Sequence, residues 1–262
     1  MTVIDANFRK FLIKIKSLRD LVNGWRDSRD LHPFGRVTVP YSYPNLRFCS
    51  PTRALRTEML KGPDREPETR KWIDEIPSNS VLWDVGANVG SFSIYAAKLG
   101  VKVVAVEPMP YNLLLLVRNI ALNDVGELCD VLPMALSEVD GPARMNLSSL
   151  EFGSAGHGFG TPDFFRGGIR QSAKLCFRLA GVSLATAVEK LKLPAPTHLK
   201  VDVDGIDDLV ILGAGRYLAG IKGICCEVKL PEERVRALET LLSDNGLQIS
   251  HRSRRNAFFA RT

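Results

Sequence analysis

The sequence predicts an α/β fold: a doubly wound, Rossmann-like parallel sheet with a helical and extended appendage at its N-terminal side. Three observations carry this. Apolar runs of strand length, at Val81–Val85, Val101–Val106, Leu128–Leu132, His198–Val203 and Ile221–Val228, alternate with stretches of helical period. The first run passes directly into a glycine turn and a helix start, through Gly86 and Gly90. Acids stand where the strands end: Glu107, Asp202 with Asp204, and Glu227. That rim is where doubly wound sheets bind ligands.

Length and composition set the frame. A chain of 262 residues, 45% hydrophobic, can bury one large core. We expect an N-terminal cover segment over residues 1–65 and a main domain over 66–262, with no second full domain. The net charge of +6 and pI near 9.1 suit an acidic partner such as nucleic acid, anionic glycan or a membrane surface, although the charges are spread along the chain. No apolar run approaches the ~20 residues needed to span a bilayer. Arg9, Lys10, Lys14 and Lys16 interleave with the first apolar residues, unlike a secretory signal, so a cytoplasmic location is expected. The five cysteines form no Cys-x-x-Cys pair, and buried thiols in a reducing compartment are the expectation.

The elements follow in chain order. Phe8, Leu12, Ile15, Leu18 and Val22 recur at helical spacing opposite basic residues. Such a helix packs on its domain or on a second subunit more often than on a membrane, which makes it a candidate surface for a homo-oligomer. Between Leu31 and Pro51, prolines and the alternation Arg36-Val37-Thr38-Val39 indicate a hairpin or edge strand. Arg53 to Ile76 contains a short helix feeding the first strand. After Glu107 and Pro108 a leucine-rich helix, Tyr111–Leu122, is expected to be largely buried. Ala143–Leu147 and Leu175–Leu179 read as a pair of short strands. The glycine- and aromatic-rich stretch from Ser148 to Ser172 reads as a lid or binding loop, with His157 an exposed loop residue. Ser183 caps a helix, the Asp207–Asp208 pair starts another, and Pro231 opens a third at its first position. Leu247–Ser250 and Asn256–Arg261 close the chain as a hairpin.

The glycine turn decides the ligand class. A dinucleotide fingerprint needs Gly-x-Gly-x-x-Gly, yet those places hold Gly86, Asn88 and Ser91. What stands there instead is an acid, Asp84, two residues before a Gly-x-x-x-Gly. About twenty residues on, Glu107 ends the second strand, where an acid can accept both hydroxyls of a ribose. This spacing is similar to that of S-adenosylmethionine-dependent methyltransferases.

Trp83-Asp84-Val85-Gly86-Ala87-Asn88-Val89-Gly90, Val106-Glu107-Pro108, Asn119-Ile120-Ala121-Leu122-Asn123, Leu199-Lys200-Val201-Asp202-Val203-Asp204-Gly205 and the strand carrying Glu227 resemble, in order and spacing, the FkbM family of these enzymes. Asp204 departs from the glutamate usual there. The resemblance implies a seven-stranded methyltransferase sheet, S-adenosyl-L-methionine as cosubstrate, and methyl transfer to a hydroxyl of a sugar, glycan or polyketide-type product. It implies donor contacts at Asp84, Gly86, Asn88, Gly90, Glu107, Pro108, Ala135 and Asp202. Catalytic candidates are Asp202, Asp204 and Glu227, as a base or in orienting the substrates. Metal-free transfer is favoured over a Mg²⁺ ion held by these carboxylates. Two alternatives stay open: a methyltransferase of RNA or another macromolecule, and a donor-binding protein without catalysis. Nucleic acid is disfavoured because Asp202-Val203-Asp204-Gly205 lacks the Asn/Asp-Pro-Pro-aromatic segment that grips a flipped base.

Overall fold

The structure, a computed structural model, describes residues 45–161 and 172–262, together with the backbone of the short strands Arg36–Thr38, Phe165–Arg166 and Ile169–Arg170. The amphipathic helix expected between Val3 and Val22 lies outside the described residues. In chain order the elements begin with β1 (Arg36–Thr38), β2 (Arg47–Cys49), α1 (Arg53–Met59), α2 (Pro67–Asp74), β3 (Val81–Val85), α3 (Ser91–Lys98), β4 (Lys102–Val106), α4 (Pro110–Leu122) and β5 (Cys129–Leu132). An inserted region follows: β6 (Ala135–Leu136), β7 (Gly141–Leu147), β8 (Gly158–Phe159), β9 (Phe165–Arg166), β10 (Ile169–Arg170) and β11 (Leu175–Val182). The chain then completes the main sheet with α5 (Leu184–Glu189), β12 (His198–Val201), α6 (Asp207–Leu212), β13 (Gly223–Glu227), α7 (Glu232–Asp244), β14 (Leu247–Arg252) and β15 (Asn256–Arg261).

The main sheet has seven strands in the order β14-β15-β13-β12-β3-β4-β5, with β15 antiparallel to both of its neighbours. This is the doubly wound, Rossmann-like sheet expected from the sequence. β3 and β4 are apolar because both of their faces are covered, as central parallel strands require. Leu82 packs in a cluster with residues of α3 and α4, while Trp83 and Val85 pack in the opposite layer with Leu199, Val201 and Leu238. Strand order reverses between β3 and β12, so a crevice opens at their carboxyl ends.

The cover segment is locked to this body by two asparagines of α4. Asn119 Oδ1 accepts from the Cys49 amide at 2.7 Å, and Asn123 Oδ1 accepts from the Arg47 amide at 2.9 Å. They satisfy the free edge of β2, whose other edge carries the β1 hairpin expected from the sequence. Asn119 also donates to the Val89 carbonyl at 2.8 Å, which ties the glycine turn to the same helix.

Two expectations need correction. The leucine-rich helix is not largely buried: Leu115, Leu116 and Ile120 face the core, but Leu114 and Val117 are exposed. Consecutive leucines advance by 100° each, so a run of four cannot fit one buried stripe. Pro231 sits one residue earlier than expected, at the N-cap of α7.

The inserted region forms a second sheet, ordered β6-β11-β7-β8, with β7 and β11 antiparallel over seven registered pairs. The sequence indicated the β7–β11 pair but not the sheet. Its Met145, Leu147 and Phe159 pack on Met109 and Ile206, so the insertion stands as a wall beside the crevice.

Candidate active site

A cavity of about 190 Å³ lies at the carboxyl ends of β3, β4 and β12. That is room for on the order of ten waters, a ligand-sized space rather than a packing defect. Gly86, Asn88, Glu107, Pro108, Ala135, Asp202 and Asp204 all line it. Asp84, Gly90 and Glu227 do not.

The turn is built from internal contacts. Gly86 adopts φ +83°, and a Cβ there would fall on the carbonyl oxygen of Asp202. Gly90, at φ +91°, would place a Cβ 2.7 Å from Leu116 Cδ1. What the two glycines accommodate is therefore protein: the end of β12 in one case and α4 in the other. The Gly86 and Ala87 amides both donate to the Val106 carbonyl at 3.0 Å, and the Asn88 amide donates to Glu107 Oε2 at 2.8 Å. Gly86→Ala is expected to lower stability by about 2–4 kcal/mol, from strain and the clash with Asp202, measurable by denaturant unfolding.

Asp84 sits beneath the cavity floor. It is 1% exposed, accepts from Ser93 Oγ at 2.6 Å and pairs with Lys200 Nζ at 3.1 Å. The parallel register sets Asp84 directly beside Lys200 and Val85 beside Val201. Lys200 itself is 3% exposed, lines the cavity and lies 5.2 Å from the centre of the Phe92 ring. Burial works to lower its pKa, but Asp84 and Asp202 outweigh that and raise it above the ordinary lysine value. Sequence reasoning passed over Lys200, although a lone lysine in a buried parallel strand requires an acid partner.

Around the rim the carboxyls crowd one another. Glu107 is buried, with Oε1 accepting from the Met109 amide at 2.9 Å, and burial pushes its pKa up to about 7. Burial, and then Asp202, push Asp204 up to about 6 and Asp207 up to about 7. Glu227 is raised by the same two causes and pairs with Lys229. Asp207 accepts from the Val203 and Gly205 amides, both at 3.2 Å, and so folds the turn in front of α6. Asp208 pairs with Arg234 of α7. Among the described residues no group of three or more His, Cys, Asp or Glu side chains is arranged to hold a metal ion.

A strap over residues 151–157 crosses the cleft. Asn88 Nδ2 donates to the carbonyls of Gly153 and Ser154 at 3.3 and 3.2 Å. Asn112 accepts from the Gly153 amide at 2.8 Å and donates to the Ser154 carbonyl at 2.9 Å. Asp204 Oδ2 accepts from the Gly156 amide at 2.6 Å. His157 is buried, not exposed as expected, and lines the cavity. Its Nδ1 accepts from the Ser148 amide at 3.3 Å, so a neutral ring carries its proton on Nε2, 3.0 Å from Ser154 Oγ. These strap contacts join sequence-distant groups, and only Asn88 and Asp204 among them were legible beforehand as site residues. Asn112→Ala removes two of the bonds at no helical cost. We expect amide exchange across 153–157 to speed up by about 10- to 100-fold relative to the sheet, by hydrogen-exchange mass spectrometry.

The cavity's ionisable lining comprises four carboxyls, Glu58, Glu107, Asp202 and Asp204, against two fixed cations, Arg65 and Lys200, besides His157. Lys200 is already committed to Asp84. Such a lining attracts a cationic ligand and repels a pyrophosphate. Glu107 and Asp204, whose carboxyls burial raises, are the ones whose ionised form a bound cation would favour.

No family model matches the chain. A stretch of 54 residues is 44% identical to Methyltransferase sdnD of Sordaria araneosa, over 20% of this chain and 21% of that protein. The chain thus aligns with about a fifth of that relative. Among solved structures, Methyltransferase FkbM from Methylobacillus flagellatus is similar at a TM-score of 0.48 and 14% identity, over 79% of this chain and 53% of that one. Precorrin-6y C5,15-methyltransferase from Geobacter metallireducens is similar at 0.43 and 13%, over 75% and 89%. Ribosomal protein L11 methylase from Lactobacillus delbrueckii is similar at 0.42 and 12%, over 75% and 77%.

Proposed function

We propose that the chain is an S-adenosylmethionine-dependent methyltransferase that moves a methyl group to a hydroxyl oxygen of a sugar, glycan or polyketide-type acceptor. The observation that carries this is the acid-rich cleft outside the carboxyl ends of β3, β4 and β12, with Glu107 at the end of β4 beside the Gly86–Gly90 turn. The donor would supply a methyl group on a positive sulfonium. Glu107 accepts from two backbone amides and retains acceptor capacity for ribose hydroxyls. Pro108 and Ala135, with the apolar wall of Leu136, Met145 and Phe159, offer a dry surface for a flat ring. Asp84 leaves the group of direct donor contacts and acts through Lys200, because its carboxylate is sealed below the floor.

Asp202 is the residue we assign to the acceptor side. It lines the cavity next to Asp204 and is the largest Coulombic influence on Asp204, Asp207 and Glu227. A carboxylate there attracts the sulfonium and is placed to accept the hydroxyl proton of the acceptor, a contribution of about 10²- to 10⁴-fold. With the strap over a bound donor and acceptor, water would be displaced from the cleft and positioning would supply most of the acceleration. Glu227 does not line the cavity and is paired with Lys229, so we assign it no part in the chemistry.

The test uses labelled donor with fractionated carbohydrate, lipid-linked glycan, polyketide and RNA pools. Label should enter a hydroxyl-bearing small molecule or glycan as a methyl ether. Asp202→Asn should cut turnover by at least 100-fold while donor affinity changes by less than about tenfold. Label in RNA or protein instead would overturn the acceptor reading, and unchanged turnover would remove Asp202 from the chemistry.

A further inference from the structure

Five residues of the cavity lining have no role in the activity above: Glu58 and Met59 at the end of α1, Arg65 of the following 3-10 turn, and Ser91 and Phe92 of α3. The first three belong to the segment that the sequence presented only as a cover. Ser91 Oγ sits 3.6 Å from Met59 Sδ, so α1 is seated directly on the start of α3.

Arg65 and Glu58 pair with each other at the cavity at 3.7 Å, with side chains 40% and 51% exposed. Arg65 also reaches Glu66 at 3.5 Å. Ion pairs this long and this exposed add little to stability, and their partners separate at little cost. Their value lies in what they present to the cleft: one guanidinium with donors to spare, and one carboxylate. The same cavity is also lined by the uncharged Ala135, Leu136, Met145, Phe159 and Ile206. Its lining therefore offers charged and apolar groups to chemically different ends of one ligand.

We propose that Arg65 and Glu58 form a clamp for a free α-amino acid group, with Arg65 taking the carboxylate and Glu58 the ammonium. The clamp rests on the donor reading above and names the residues that hold the donor's zwitterionic end. It also accounts for an engaged Asp84: this end of the ligand is met from the cover segment, not from the sheet. A guanidinium alone would favour any anion, whereas the opposed pair selects a molecule bearing both charges and discriminates against nucleosides that lack them.

The experiment compares two ligands by calorimetry on the full chain: S-adenosylhomocysteine, which carries the amino acid group, and 5′-methylthioadenosine, which does not. The wild-type chain should prefer S-adenosylhomocysteine. Arg65→Ala should weaken S-adenosylhomocysteine by about 10- to 100-fold and change 5′-methylthioadenosine less than twofold, with Glu58→Gln acting in the same sense by several-fold. Both positions are partly exposed, so the variants should keep the wild-type melting temperature. Equal weakening of both ligands, or no change in either, overturns the clamp while leaving the donor site standing. If the wild-type chain binds neither ligand, the donor reading fails and the clamp fails with it.

Discussion

Lys200→Met is expected to lower the free energy of unfolding by about 3–5 kcal/mol, measured by urea denaturation. The physical reason is the state of Asp84. It is 1% exposed, one oxygen is held by Ser93, and the other faces Lys200 at 3.1 Å. Removing the ammonium leaves a carboxylate in the core with a single hydroxyl donor, and the fold must either protonate it or give way. The double variant Lys200→Met with Asp84→Leu should recover a large part of the loss, because exchanging both members of a buried pair for apolar groups removes the desolvation cost of each. Losses that simply add in the double variant would show that the two side chains do not act as a pair.

Glu107→Ala should have the largest effect on ligand binding, a loss of at least about 100-fold in affinity for S-adenosylhomocysteine. Two backbone amides, those of Asn88 and Met109, lose their acceptor together with the ligand. The wild-type pH profile carries a second signature. Burial raises the Glu107 carboxyl from about 4.5 to about 7, against the pull of the Met109 and Asn88 amides. Its contribution to stability is therefore complete below pH 4.5 and is lost as the pH rises through about 7. Affinity for a ligand that donates hydroxyls runs the other way. It should rise toward neutral pH by up to about tenfold per unit and level off above pH 7. Glu107→Gln, which cannot ionise, should bind weakly with a flat profile over the same range. A wild-type affinity that falls between pH 6 and 7.5 would contradict the assignment.

Much of the scaffold was legible because its signals are local. The valine-rich runs of β3 and β4, the glycine turn and Glu107 each follow from strand burial or from backbone conformation within a few residues. Asp84 was visible too, as an acid in an apolar run, but its partner was sought in a ligand. The answer lay in the register of two parallel strands 116 residues apart, where Asp84 and Lys200 come side by side. Each residue is costly alone, and the pair makes both tolerable. The inserted sheet and the strap were less accessible. Asn112 and Ser154 are ordinary helix and loop residues until the chain folds back, and His157 becomes buried only when residues 151–157 close over the turn. The Arg65–Glu58 pair shows the same limit, since nothing in the sequence of the cover segment says which way its charges face.

Methyl transfer by this chain requires that the cleft at β3, β4 and β12 take an adenosyl amino acid. Calorimetric titration of the full chain with S-adenosylhomocysteine at pH 8 is the direct measurement. One site per chain is expected, weakened at least about 100-fold by Glu107→Ala. An absence of binding heat at several temperatures, or binding that Glu107→Ala leaves untouched, would contradict it.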